Sequence, residues 1–182
     1  MRAVAPIKAG PLRSEQIILF RIGEQLFALS SSSVQEVRSA DSLSGRAYEI
    51  NAPGIDKVRQ FVRRGPNTLF LVSGAAHFGL SAPDGILVFV LRNTRTALLV
   101  DSIERMTAIT RLQALPLSFC HEERQWYRGL TALDQTVVPV VRPEGFLSDH
   151  ELMMLDAALP LPEVSSQETE AQEDTDFGAE LN

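Results

Sequence analysis

Short apolar runs separated by turn residues are the dominant pattern from residue 17 onward. Residues 17–22 (IILFRI), a Gly-Glu-Gln turn and residues 26–29 (LFAL) form one pair of runs, which is typical of a β-hairpin. Residues 86–91 (ILVFVL), a polar turn and residues 96–100 (TALLV) form a second pair of the same character. The pattern therefore predicts a mainly β protein built from short strands.

The two predicted hairpins are related by a constant sequence offset. The offset is 69 residues without a gap, and it also places residues 69–72 (LFLV) on residues 138–141 (VPVV). Both halves thus contain a hairpin, a short polar segment and a later strand in the same order. We interpret this order as two small β-barrel subdomains, at about residues 16–80 and 85–147, joined by a connection that contains Pro and Asp.

Residues 148–159 carry the clearest helical signal. Ser148 is a suitable N-cap, and Glu151 lies at the third position after it, as in a capping box. Three leucines then repeat at helical spacing: Leu152, Leu155 and Leu159. We expect a C-terminal helix with one face packed on the barrels.

A second helical pattern precedes Gly65-Pro66. Val58, Phe61 and Val62 lie at spacings of three and four, which predicts a short helix that ends before the Gly-Pro pair. The same stretch contains the densest basic cluster of the chain: Lys57, Arg59, Arg63 and Arg64. Because apolar residues alternate with these charges, the cluster is typical of a solvated face above a buried one.

Composition and charge set the two ends of the chain apart from the rest. The 182 residues carry a formal charge of −6 from 17 basic and 23 acidic side chains, yet the residues after Pro160 hold seven acidic residues and no Lys or Arg. We expect residues 160–182 to be a disordered acidic tail and residues 1–15 to be a flexible segment. Without the tail the body carries a formal charge of +1, which argues against a strongly basic nucleic-acid binder.

The cellular compartment follows from two further features. The single cysteine, Cys120, excludes a disulfide framework within the chain. The longest purely apolar run, residues 86–91, is far shorter than the roughly 20 residues of a membrane-spanning helix. We therefore expect a cytoplasmic protein that does not insert into a membrane.

No set of residues with catalytic or metal-ligating spacing stands out. The three histidines, His77, His121 and His150, are not paired at the spacing of metal ligands. Cys120 and His121 are neighbours, and on an extended chain their side chains point to opposite faces. The sequence predicts a protein without catalytic residues, cofactor or metal ion. The alternative is a small-molecule-binding or catalytic two-barrel protein, with a closed pocket between the subdomains lined by His77, Asp101 or Cys120.

Five stretches, taken in order, resemble the CheW family of adaptor proteins in bacterial chemosensory arrays. They are residues 17–37, which end in VQEV, Arg64-Gly65 at the position of the NLRG motif, residues 95–106 (RTALLVDSIERM), residues 114–116 (ALP) and residues 127–147. The last of these resembles the closing hairpin of the family, and the predicted C-terminal helix follows in the expected place. The resemblance covers about 140 residues, and the shared order and spacing of the stretches support it.

The resemblance implies two five-stranded, SH3-like β-barrel subdomains and a non-enzymatic adaptor without a cofactor. Its implied partners are the cytoplasmic tip of a methyl-accepting chemoreceptor and the regulatory domain of a CheA-type histidine kinase. By position, the resemblance implies partner contacts for Val34, Glu36, Arg64 and Gly65. Arg64 suits this role, because an exposed guanidinium can form a bidentate pair with a carboxylate of the receptor.

The chain also departs from the family pattern beside the expected receptor surface. Arg59 occupies the position of a usual Gly, Val62 that of a usual Asn, and residues 69–73 (LFLVS) replace a PVVDL stretch. These departures favour a specialised pathway, such as one controlling surface motility or development, or a different partner.

Overall fold

The computed structural model describes residues 14–44 and 46–160. The described residues contain the strands β1 (Glu15–Ile22), β2 (Gln25–Ser30), β3 (Val34–Ser39), β4 (Ala47–Glu49), β5 (Val58–Arg64), β6 (Asn67–Ser73), β7 (Leu87–Leu91), β8 (Thr96–Val100), β9 (Ser102–Ile109), β10 (Tyr127–Leu133) and β11 (Thr136–Val141). They also contain the helices α1 (Asp41–Ser44), α2 (Gly74–His77), α3 (Glu123–Trp126) and α4 (Asp149–Ala158). Residues 1–13 of the expected flexible segment, and the expected acidic tail beyond Pro160, lie outside the described residues.

The strands form two sheets, which confirms the mainly β fold with a C-terminal helix. The first sheet has the order β10-β11-β2-β1-β9, and the second has the order β3-β7-β8-β6-β5-β4. Neither sheet is a closed barrel, which corrects the expectation of two closed five-stranded barrels. In the first sheet only one bridge, between Gln113 and Leu130, connects the chain beyond β9 to β10, and closure requires a continuous ladder there.

Under the offset of 69 residues the two sheets have the same internal order. Strands β10, β11, β2, β1 and β9 of the first sheet correspond to β5, β6, β8, β7 and β3 of the second. The parallel pairs agree residue for residue, because Val140 pairs with Ala28 and Leu71 pairs with Ala97. The two-unit organisation is therefore present in the fold.

The two units exchange strands, so each sheet combines strands from both sides of residues 80–85. The first hairpin, β1–β2, lies in a sheet with strands from the second half of the chain. The second hairpin, β7–β8, lies between β3 and β6 from the first half. Each sheet consequently contains strands from both sequence units.

The predicted helix before Gly65 is wrong, because residues Val58–Arg64 form strand β5. A β-bulge between Val58 and Gln60 shifts the alternation by one residue. Phe61 then packs in the core between the sheets, whereas its neighbour Val62 is buried on the opposite face. The spacing of three and four thus arises from a bulge in a strand that is buried on both faces.

A large apolar core lies between the two sheets. It contains residues from both, including Phe20 and Phe27 of the first sheet and Phe61, Phe70 and Phe89 of the second. Smaller clusters cover the opposite face of each sheet. Because strand residues alternate between faces, both sheets carry buried side chains on their two sides.

The C-terminal helix α4 is positioned by its cap, one leucine and two ion pairs. Ser148 and Glu151 form the predicted capping box, and Leu155 is fully buried in the large core. Glu151 lies 2.7 Å from Lys57 Nζ, and Asp156 accepts two hydrogen bonds, of 2.7 and 2.6 Å, from Arg95. The helix is thereby attached to the second sheet at both of its ends. Among residues 14–44 and 46–160, no helix has the length and apolar character that a bilayer span requires.

Candidate functional site

The structure brings together Glu36 and Arg64, two of the four residues assigned to partner binding. Arg64 Nη1 lies 2.7 Å from Glu36 Oε1 in an ion pair, and Arg38 Nη2 donates a hydrogen bond of 2.9 Å to Glu36 Oε2. Glu36 is on β3 and Arg64 is at the end of β5, and three strands lie between them in the sheet. Four strand spacings would separate them by about 19 Å in a flat sheet. The second sheet must therefore curl strongly, although it does not close.

The other two predicted residues have different surroundings. Gly65 is exposed in the β5–β6 turn with a φ of +58°, a conformation that favours glycine, and Pro66 completes this two-residue turn. Val34 is buried, because a bulge between Val34 and Glu36 turns its side chain into the large core. Only about 8% of Val34 is exposed, so its side chain offers a partner little surface.

The Glu36–Arg64 pair lies at the mouth of a small cavity of about 110 Å³ inside the curl of the second sheet. Six apolar side chains form its floor: Leu43, Val62, Leu69, Leu71, Val90 and Ala97. Four arginines and one carboxylate form its rim: Arg38, Arg46, Arg63, Arg64 and Glu36. We call this cavity the Arg-rimmed pocket. Its formal rim charge is +3, and its floor is apolar.

The charges of the rim keep Glu36 ionised. The hydrogen bond from Arg38, together with the positive charges of Arg64 and Arg38, lowers the pKa of the Glu36 carboxyl group against the opposing effect of burial. The contribution of this carboxylate to folding is present above its ordinary pKa of 4.5 and is lost as the pH falls through the lowered value. At neutral pH the rim therefore presents an intact ion-pair network.

Sequence reasoning missed several residues of the pocket. Arg38 carried a usable signal, since it lies two residues after Glu36 on one strand and so shares its face. Arg46 and Leu43 belong to the connection between β3 and β4, and the strand pattern gave no signal for them. A larger, more open cavity of about 550 Å³ shares Leu71 with the Arg-rimmed pocket and extends along the same face past Arg59.

The three residues of the alternative enzymatic or ligand-binding hypothesis have separate surroundings. Asp101 accepts a hydrogen bond of 2.5 Å from the Gly23 amide in the β1–β2 turn. Cys120 is exposed, and its Sγ accepts a hydrogen bond from the Glu123 amide. His77 is buried among aromatic rings. Within the described ranges, His, Cys, Asp and Glu form no group of three or more that is placed to hold a metal ion.

His77 is held neutral by its surroundings. Burial, and then the positive charge of Lys57, lower its pKa to about 3, while Glu151 acts in the opposite direction. Lys57 Nζ lies 3.5 Å from Nδ1, and Trp126 and Phe146 pack beside the ring. The ring therefore fills the core and does not act as an acid or base near neutral pH.

Lowering the pH from 6.5 to about 5 should destabilise the protein by about 1.6 kcal/mol in total, with a slope that approaches about 1.4 kcal/mol per pH unit at the lower end. In this window the unfolded chain binds a proton at residue 77 that the folded protein excludes, so the free energy of unfolding falls as the pH falls. Urea denaturation at a series of pH values measures this slope, and His77→Gln is the control that should remove it. Equal stability of the unmodified protein at pH 6.5 and 5 would contradict the buried neutral histidine.

Comparison with known proteins gives three matches, and all three are to CheW or CheW-like proteins. The model of the CheW-like domain family matches residues 16–151. The probable chemotaxis protein CheW of Rhizobium etli is 28% identical over 147 residues, which cover 75% of this chain and 89% of that protein. The crystal structure of the scaffolding protein TtCheW from Thermoanaerobacter tengcongensis has the same fold, with a TM-score of 0.61 at 13% identity. That match covers 81% of this chain and 96% of TtCheW.

Proposed function

Because the chain belongs to the CheW-like domain family of chemotaxis scaffolds, we propose that it couples a chemoreceptor to a CheA-type histidine kinase. The receptor contributes its cytoplasmic tip, the kinase contributes its regulatory domain, and the adaptor acts in the cytoplasm without a cofactor. The observation that supports this proposal is the ion pair between Glu36 and Arg64 at the mouth of the Arg-rimmed pocket. Two residues matched by position to the partner surface of the family meet there.

The size and chemistry of the pocket suit a protein partner. Cavities that enclose drug-sized ligands measure about 300 to 1,000 Å³, and the Arg-rimmed pocket measures about 110 Å³. It has room for one apolar side chain of a partner, while the surrounding guanidinium groups can pair with nearby carboxylates. We propose that the receptor tip presents an apolar residue with acidic neighbours to this pocket.

The departures from the family pattern lie in and around this proposed contact. Val62, Leu69 and Leu71 form part of the pocket floor, and Arg59 lines the adjoining larger cavity. Val62 therefore places an apolar side chain in the floor where the family resemblance leads us to expect a polar residue. We propose that the receptor of this adaptor is specialised, with an apolar group facing the floor.

The role of Arg64 in recognition can be separated from its role in folding. We expect Arg64→Ala to weaken binding of a receptor cytoplasmic fragment about tenfold, the usual effect of losing a charge-assisted hydrogen bond at an interface. The melting temperature should fall only slightly, because a partly exposed pair contributes about 0–1 kcal/mol to folding and Arg38 still donates a hydrogen bond to Glu36. Biolayer interferometry and thermal unfolding measure the two effects.

Two further variants complete this test. Arg111→Glu changes an exposed arginine beyond β9 and should bind the receptor fragment normally. The double exchange Glu36→Arg with Arg64→Glu reverses the polarity of this ion pair and removes the carboxylate that binds Arg38, so we expect weak receptor binding with a small loss of stability. Normal receptor binding by the double exchange would show that Arg64 is structural, and the proposed contact would be wrong. Reconstitution with the kinase then shows whether the adaptor changes autophosphorylation.

A further inference from the structure

The last described residue of the chain lies beside the Arg-rimmed pocket. Arg63 Nη2 donates a hydrogen bond of 3.0 Å to the carbonyl oxygen of Pro160. Arg63 is also one of the four rim arginines, and together with Pro160 and Gly65 it lines a shallow depression next to the β5–β6 turn. The 22 residues after Pro160 therefore leave the body at the edge of the pocket.

The sequence that follows is complementary to the pocket. Residues 161–182 contain seven acidic residues and no Lys or Arg, whereas the rim holds four arginines and one carboxylate. Residues 173–181 (EDTDFGAEL) place Phe177 among four acidic side chains. An aromatic ring with acidic neighbours matches an apolar floor with a basic rim.

The connecting length permits this contact. Phe177 lies 17 positions after Pro160, and an extended chain of that length spans up to about 55 Å. The pocket shares Arg63 with the site where the chain leaves the body, so only a small part of this length is required. A segment joined to the body has a local concentration on the order of millimolar, which favours even a weak contact.

We propose that residues 173–181 of this chain dock on the Arg-rimmed pocket, with the ring of Phe177 on the apolar floor and the neighbouring carboxylates on the rim arginines. The docked segment covers Arg64 and the pocket floor, and so competes with a receptor for them. This competition rests on the proposed function, whereas the docking itself does not.

A spin label in the full-length chain tests the docking. Cys120→Ser removes the only native cysteine, and Gly178→Cys then allows a nitroxide to be attached next to Phe177. In ¹⁵N NMR spectra we expect the amide signals of Leu69 and Ala97 to lose most of their intensity, whereas that of Val138 in the first sheet keeps it. Neutralising the four carboxylates around Phe177 should restore the signals, as should Arg63→Glu, whereas Arg111→Glu should not.

The outcomes separate docking from receptor binding. Full intensity at Leu69 and Ala97 in the labelled chain, or a loss that persists after neutralisation, would overturn the docking. If the segment occupies the pocket about nine-tenths of the time, the neutralised chain should bind a receptor fragment about tenfold more tightly. Unchanged affinity would overturn the competition. If neither form bound the receptor fragment, the proposed function would fail, and the spin label would still decide the docking.

Discussion

Replacing Gly85 by alanine should destabilise the fold by about 3 kcal/mol, the upper part of the range for adding a group to a well-packed site. A Cβ at residue 85 would lie 2.2 Å from both the carbonyl carbon and the carbonyl oxygen of Val100. These are backbone atoms at the end of β8, a strand inside the second sheet, so they cannot move as a flexible side chain can. The expected loss of stability follows from this close approach of two backbone segments.

Urea denaturation at neutral pH measures the Gly85→Ala effect. Ser81→Ala, at an exposed residue of the same connection, is the matched control and should unfold at the unmodified midpoint. A Gly85→Ala protein with a midpoint close to that of the control would mean that the connection shifts away from β8 without cost. The close packing of residue 85 against Val100 would then contribute nothing to the free energy of unfolding.

Leu155→Ala should cost about 2–5 kcal/mol, as for other fully buried leucines that leave a cavity. Leu155 is the side chain by which α4 enters the large core between the sheets. The Arg95–Asp156 pair lies at the surface, where charged pairs contribute little. The more buried Lys57–Glu151 pair does not fill the space that Leu155 leaves, so neither pair can replace this contact. We expect a lower urea midpoint with a loss of helical circular dichroism as α4 detaches.

Met153 provides the control on the same helix. It is 68% exposed, so Met153→Ala removes a side chain of similar size without opening a cavity. We expect a change within about 0.5 kcal/mol for this variant. Because alanine is the best helix former, propensity cannot account for a loss of stability in either variant. Equal destabilisation by the two substitutions would therefore show that burial of Leu155 does not determine how α4 contributes.

Much of the local structure could be predicted from the residues alone. The two hairpins around Gly23 and Asn93 follow from apolar runs interrupted by turn residues, and the cap of α4 follows from the spacing of Ser148 and Glu151. The offset of 69 residues also identified the corresponding strands correctly. Hairpins, helix caps and strand positions depend on residues that are close in sequence, so local sequence patterns predict them.

The pairing of the strands could not be predicted in the same way. Periodicity shows that Leu71 and Ala97 belong to strands, but their parallel pairing depends on contacts between distant segments. The bulge at Val58 to Gln60 produced a helix-like spacing in β5, because one extra residue shifts the alternation of a strand. Local patterns were therefore least informative where the tertiary contacts decide the structure.

The residues of the candidate site could likewise be predicted only in part. Family resemblance selected Glu36 and Arg64, and the structure places them in one ion pair. Their contact depends on the curl of a six-stranded sheet, which no local pattern contains. For the same reason Arg46 and Leu43, which lie outside the strands, were not recognised as neighbours of Arg64.

The exchange of strands between the two units has a consequence for folding. Neither half of the chain can complete a sheet alone, since each hairpin obtains its neighbouring strands from the other half. The protein should accordingly fold in one cooperative step, and slowly for its size, because four of its nine strand pairings, β1–β9, β2–β11, β3–β7 and β6–β8, join segments that are distant in sequence. A chain cut within the connection at residues 80–84 would give two fragments, and each would acquire its native sheets only by associating with the other. The two fragments should therefore complement each other when they are mixed.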